Sequence, residues 1–269
     1  MLFENDFKIR MRDIDDGNKI SNAGIMSIME ETATLHSYNL GFAVNECMKD
    51  NLSWIILDWD IRIFSRAEYN ESVKSYTWTR KYDKLTAYRD FKITDNEGNI
   101  IATATSRWLL MDIVRRRPCR LTEDITKRYE CEAGKIAVSD DIEKIILPQD
   151  IDFTDCNDKD NDKTCGKMSE TNDNSKLLKE KYDIIKIPYR VLKRDIDFNG
   201  HVHNLVYLDM ALETLPDNIN NMEYSSIRIE YKKEIMPDSN VLCTYCRYGN
   251  SDIVVISTDN VINCIVQFS

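Results

Sequence analysis

No stretch of this chain approaches the roughly 20 consecutive apolar residues that a membrane-spanning helix requires, so a helical membrane protein is not expected. The opening residues, MLFENDFKIRMRD, lack both an apolar core segment and a small-residue cleavage site. A secretory signal is therefore not expected, and a cytoplasmic setting is. Positive charge is in deficit: 36 Lys and Arg stand against 46 Asp and Glu, a formal charge of −10, with a pI near 5.0. A general nucleic-acid binder needs a basic surface to meet the phosphates, so that class is not expected. Any anionic partner has to be met by a local basic patch. Framework spacing is missing among the eight cysteines, at 47, 119, 131, 156, 165, 243, 246 and 264. In a cytosolic chain of this length they read as reduced thiols. The one close pair, Cys243-Thr-Tyr-Cys246, lies in a strand-like run where the two positions point to opposite faces. Neither a second CxxC nor a helix-spaced HExxH accompanies it, so no metal and no cofactor is expected. Histidine is the scarcest reactive residue: His36, His201 and His203 are the whole set.

What is present is enough to build a core. Hydrophobic residues make up 42% of the 269, which excludes wholesale disorder and allows one large domain or two modest ones. An internal repeat favours two. Sliding the sequence by 182 positions lays Arg12-Asp13-Ile14-Asp15 on Arg194-Asp195-Ile196-Asp197, Asn22 on Asn204, and Glu31-Thr32 on Glu213-Thr214. Each copy leads into a helical pattern, over 22–40 and over 204–215, the second stopped by Pro216. Strand-like runs follow the first helix at 54–64, 72–80, 86–94 and 100–111, and the turn Asp95-Asn96-Glu97-Gly98-Asn99 makes the last two a hairpin. After the second helix come runs at 225–235, 240–248, 252–258 and 261–268. Each half is thus one long helix with a curled antiparallel sheet, an α+β arrangement. Between the halves, residues 150–176 are rich in Asp, Asn, Lys, Ser and Thr and read as a solvated, mobile linker.

Groups capable of acid–base work crowd just before the second helix: Asp195-Ile-Asp197-Phe-Asn199-Gly200-His201-Val-His203-Asn204. A helix cap accounts for one or two of them. In an extended segment Asp197, Asn199 and His201, at alternate positions, share a face beside the positive end of a helix. That setting suits a carbonyl substrate, because helix-terminal N–H groups polarise the oxygen and a base activates water. The first copy carries Asp15, Gly17 and Lys19 at the matching positions, so only the second half has the reactive set. His36 falls inside the first helical pattern and reads as structural or partly exposed.

Asp197-x-Asn199-x-His201, followed by Val202-x-Asn204 and Tyr207, resembles the active-site signature of acyl-acyl carrier protein (acyl-ACP) thioesterases. Two further blocks are similar to that family: Glu230-Tyr231-Lys232-Lys233-Glu234, and Ala104-Thr-Ser106-Arg-Trp108-Leu-Leu-Met111 leading into Arg115-Arg116-Arg117. The resemblance implies a tandem (double) hotdog, with an acyl-binding hotdog over 1–149, a linker over 150–180 and a catalytic hotdog over 181–269. It implies hydrolysis of fatty acyl-ACP by Asp197, Asn199, His201 and Glu234. In that scheme Glu234 and His201 activate or orient water, Asn199 holds the water or the thioester carbonyl, and Asp197 fixes its neighbours; direct attack by Asn199 stays open. Where some family members place a cysteine after the catalytic Glu, this chain has Ile235, so no Cys–His acyl-enzyme runs through that position. His203 stands where the family commonly has Asn. By the same resemblance the acyl chain lies against Ile25, Met29, Trp54, Ile56 and Trp59, residues that also suit plain core. ACP is acidic, so Arg115, Arg116 and Arg117, and Arg190, Lys193 and Arg194, are candidate docking residues. Assembly as a homodimer stays open, as do an acyl-CoA thioesterase and a non-catalytic acyl-binding protein.

Overall fold

The computed structural model describes residues 1–42, 44–154 and 181–269, in two compact units. Most of the expected linker lies outside the described residues. The first unit comprises Met1–Glu143 with Met222–Arg228, and the second Lys144–Asn221 with Ile229–Ser269.

In the first unit, β1 (Phe3–Lys8) precedes the long helix α1 (Asn22–Asn39) and the short α2 (Val44–Lys49). Then come β2 (Leu52–Ile63), β3 (Ser72–Tyr82), β4 (Thr86–Thr94), β5 (Ile100–Asp112), the two-residue β6 (Arg117–Pro118) and α3 (Glu123–Tyr129). The sheet runs β1-β3-β4-β5-β2, antiparallel throughout, with β6 paired to β5. The β4–β5 hairpin forms because Asp95 Oδ1 accepts the Glu97 and Asn99 N–H groups at 2.9 and 2.8 Å, while Gly98 takes φ +88°. Helix α1 starts at Ser21, whose hydroxyl accepts the Gly24 N–H at 3.0 Å. It buries Ile25, Met26, Ile28, Met29 and Ala33, each apolar side chain contributing roughly 1.5–3 kcal/mol when fully withdrawn from water. Thr32 turns its hydroxyl to the Ile28 carbonyl and to Ser75 on β3, at 2.6 and 2.8 Å, so the buried hydroxyl is satisfied.

The second unit repeats the plan with β7 (Ile185–Arg190), α4 (Asn204–Leu212), the end of β8 (Ser226–Tyr231), β9 (Asn240–Tyr248), β10 (Ser251–Thr258) and β11 (Val261–Phe268). Strand order is β8-β11-β10-β9-β7. Helix α4 lies on β9, β10 and β11 and buries Tyr207, Leu208, Met210 and Ala211. Ile145, Phe153 and Tyr182 pack with Cys246, Ile253, Val255 and Ile265. Cys243 and Cys246 are both buried thiols within β9, and burial pushes each up to about 12. One expectation is corrected: the strand foreseen over 225–235 ends at Tyr231. The N–H groups of Lys232 and Lys233 both turn to the Asn263 carbonyl, at 2.8 and 3.2 Å, which carries residues 232–236 off the ladder.

The 182-residue offset holds down to single hydrogen bonds. Asp13 and Asp195 each accept the N–H three residues back, from Arg10 at 2.9 Å and Leu192 at 2.7 Å. Their carbonyls receive the N–H groups of Ser21 and His203 at 2.9 and 2.8 Å. Ile14 bridges Ile20 as Ile196 bridges Val202. Thr214 repeats the back-bond of Thr32, onto the Met210 carbonyl at 2.6 Å. Each unit is thus a helix laid on an antiparallel sheet, the tandem α+β hotdog that the resemblance implies.

Candidate active site

The loop before α4 is held by its own acid. Asp197 Oδ1 accepts the backbone N–H of Asn199 at 2.8 Å and of His201 at 3.3 Å, and Oδ2 accepts from Asn199 Nδ2 at 3.3 Å. The Asp197 N–H returns to the His201 carbonyl at 2.8 Å, and Gly200 takes φ +81°, a left-handed conformation that glycine adopts without strain. This corrects the extended reading of 197–201. The chain turns, so the three residues are gathered by a side-chain-closed loop rather than by strand alternation. Asp197 is spent on that closure. Asn199 is exposed and His201 half-buried, and the His201 imidazole makes no hydrogen bond among the described residues.

His203 has a different task. It is the N-cap of α4: its Nδ1 accepts the Leu205 N–H at 3.2 Å, so the neutral ring carries its proton on Nε2. Burial lowers its pKa, which favours that neutral form. Ser21 does the same work in the first unit.

The backbone around Glu234 is anchored beside the end of the loop before α4. The Val202 N–H donates to the Ile235 carbonyl at 2.9 Å, running residues 234–236 beside the end of the loop. The Ile235 N–H donates to the Tyr207 hydroxyl at 2.9 Å, and Asn263 Nδ2 lies 3.3 Å from the carbonyls of both Lys233 and Glu234. Tyr231 donates to the Asn204 carbonyl at 3.1 Å and meets the Tyr207 ring edge-on. Ile235 is buried while Glu234 points outward and is exposed. Position 235 is therefore a packing position. Sequence reasoning missed Asn263; the polar residue inside the apolar run Val-Ile-Asn-Cys-Ile-Val was its only signal.

Ile25, Met29, Ile56 and Trp59 are fully buried in the core of the first unit, Trp59 against Phe91 with ring centroids 5.0 Å apart. Trp54 is half-buried beside Tyr129. Arg115, Arg116 and Arg117 form an exposed turn whose start is fixed by Asp112 Oδ1, which accepts the Val114 and Arg115 N–H groups. Arg190, Lys193 and Arg194 are exposed in the second unit. His36 is not partly exposed: it is wholly buried, and its Nδ1 lies 3.0 Å from Arg89 Nη1. Burial, then the Arg89 charge, lowers it to about 3.

The sequence profile of the acyl-ACP thioesterase N-terminal domain matches residues 1–129, and that of the acyl-ACP thioesterase C-terminal domain matches residues 178–263. An oleoyl-acyl carrier protein thioesterase of Arabidopsis thaliana is 22% identical over 244 residues, covering 88% of this chain and 60% of its own. An acyl-[acyl-carrier-protein] hydrolase of Cuphea viscosissima is 25% identical over 244 residues, covering 87% of this chain and 52% of its own. This chain therefore spans between 52% and 60% of the length of these two chloroplastic relatives. Among solved structures, an acyl-ACP thioesterase from Bacteroides thetaiotaomicron gives a TM-score of 0.76 at 16% identity, covering 99% of this chain and 96% of that one. The 12:0-ACP thioesterase from Umbellularia californica gives 0.71 at 21% identity, covering 100% and 96%. These two likenesses establish a shared fold.

Proposed function

We propose, from the premise that this chain belongs to the acyl-ACP thioesterase family, that it hydrolyses the thioester joining a fatty acyl chain to ACP, releasing the free fatty acid and ending chain elongation. One observation carries the reading. The two helix-start loops share their backbone hydrogen bonds, yet the first presents Gly17 and Lys19 where the second presents Asn199 and His201. Loop stability does not require Asn or His there, so those side chains answer to something else.

In the proposed reaction His201 and Glu234 take a proton from water as its oxygen bonds to the thioester carbonyl carbon. The carbonyl electrons pass to oxygen, then return as the carbon–sulfur bond breaks, and the proton leaves with the thiol. Asn199 steadies the water or the developing oxyanion, and Asp197 fixes the Asn199 amide and the loop backbone that carries both residues. General-base help of this kind contributes about 10²–10⁴-fold, and one well-placed donor to an oxyanion about 10²–10³-fold. The acyl chain is received by the first unit, against Ile25, Met29, Trp54, Ile56 and Trp59. The exposed cations Arg115, Arg116, Arg117, Arg190, Lys193 and Arg194 meet the acidic carrier.

The test is thiol release from a panel of acyl-ACPs of different chain length. Stoichiometric free thiol and free fatty acid are expected, with kcat/KM falling as salt rises because the docking charges are screened. No thiol from any acyl-ACP overturns the assignment. Turnover flat in salt removes the basic patches from it, and faster turnover of acyl-CoA than of acyl-ACP changes the carrier.

A further inference from the structure

The first unit buries a cation without a counter-ion. Two arginines sit on neighbouring strands of its sheet, both nearly inaccessible to water. Arg80 is matched by carboxylates, with Nε 3.1 Å from Asp90 and Nη1 2.6 Å from Asp140. Arg89 has no carboxylate partner among the described residues. Its Nη1 reaches His36 Nδ1 at 3.0 Å and Thr77 Oγ1 at 3.4 Å, and its guanidinium lies 5.4 Å from the centre of the Tyr129 ring. An unpaired buried charge is strongly unfavourable unless something else answers it.

The neighbouring groups include donors that are left without an acceptor. Because Arg89 donates to His36 Nδ1, the neutral imidazole carries its proton on Nε2, and that buried N–H has no hydrogen-bond partner. The Trp54 indole N–H faces the Tyr129 hydroxyl and the Tyr82 hydroxyl faces Thr79, yet neither closes a hydrogen bond of ordinary geometry. The Tyr129 hydroxyl itself donates to Ser37 at 3.0 Å. Around these groups the walls are apolar: Leu40, Phe42, Leu52, Leu110, Leu121 and Ile125.

We infer that the Arg89–His36–Trp54–Tyr82–Tyr129 cluster is a binding site for an oxygen acceptor carried on an otherwise apolar chain. Two sources share that chemistry: the acyl group of a thioester bearing a hydroxyl or keto oxygen along its chain, and the carboxylate of a free fatty acid. The inference rests on the proposed function only for the first source. A hydrogen bond to a charged group contributes enough that removing it costs about tenfold or more in affinity.

The experiment compares dodecanoyl-ACP with hydroxydodecanoyl-ACPs whose hydroxyl is moved along the chain, and separately titrates the protein with free dodecanoate by calorimetry. A preference of about tenfold in kcat/KM for at least one hydroxylated chain assigns the site to the substrate. Calorimetric binding of dodecanoate that weakens about tenfold in Arg89→Met assigns it to the free acid. In either case Arg89→Lys should retain part of the effect and Arg89→Met none. No hydroxyl preference together with no Arg89-dependent carboxylate binding overturns the inference, as does a preference that survives Arg89→Met. If Arg89→Met fails to fold, the wild-type substrate panel and a Trp54→Phe titration decide. If no thioester is cleaved at all, the proposed function fails while the calorimetric arm still judges this site.

Discussion

The two helix-start loops differ in what their scaffolds present. Asp15 accepts the N–H groups of Gly17 and Lys19 at 3.1 and 3.2 Å, just as Asp197 accepts those of Asn199 and His201. Asn18 and Gly200 both take positive φ, at 62° and 81°. The shared parts are backbone and one carboxylate; the unshared parts are Gly17 and Lys19 in the first loop, and an amide and an imidazole, Asn199 and His201, in the second. The fold of this short segment therefore rests on its backbone and one acid, and leaves the side chains at the two other positions free to differ. The helices differ too. In the first unit α1 has 18 residues and buries a histidine near its end, whereas α4 has nine and no such group.

The largest effect is expected from cutting the side chains while leaving the loops intact. His201→Ala should lower kcat on acyl-ACP by about 10²–10⁴-fold, with unchanged circular dichroism and melting. Lys19→Ala, at the matching place in the first loop, should leave kcat as it was. Equal losses in both would mean that the loops are not divided as described.

A smaller but still large effect concerns His36. Its folded-state value lies near 3, below the ordinary 6.5, so the unfolded chain takes up the proton first. The stability associated with neutral His36 is complete above about pH 6.5 and is lost on acidification by about 1.4 kcal/mol per pH unit, until the folded group itself titrates near 3. Urea denaturation of the wild type and of His36→Phe at pH 7 and pH 4 should show a steep loss in the first and a shallower one in the second. Parallel curves would remove His36 as the acid-sensitive group.

The smallest effect separates the two helix starts. A Cβ at Gly24 would lie 2.3 Å from the Asp13 carbonyl oxygen, so Gly24→Ala should cost about 1–3 kcal/mol by overpacking. The matching residue in the second unit is Val206, which already carries a branched side chain there. Val206→Ala should cost less by the same denaturation measurement, and a reversed order would show that the close approach in the first loop relaxes freely.

Much of this was legible in the sequence, and the illegible parts have physical reasons. The offset of 182 residues and the helix starts were readable because caps and acid-closed loops leave fixed spacings. Asp95–Asn99 read correctly as a hairpin turn for the same reason. The disposition of Asp197 was not readable. A carboxylate that serves its own backbone has the same letter as one that serves a substrate. The end of β8 was hidden because Lys232 and Lys233 leave the ladder for an acceptor on Asn263, far along the chain. Arg89 was hidden because β4 is buried on both faces from Ala87 to Phe91, which erases the alternation that separates inward from outward residues.

The Asp197 closure makes the Asn199–His201 pair portable. Since the loop keeps its shape with either set of occupants, a duplicated copy can lose Asn and His without losing its fold, and a copy lacking them can in principle receive them. Gly17→Asn with Lys19→His would install the same two side chains on a frame that already has the matching acid, the matching bridge and the matching helix. The half that carries Lys19 is thus one pair of substitutions from presenting the same two side chains on the same frame.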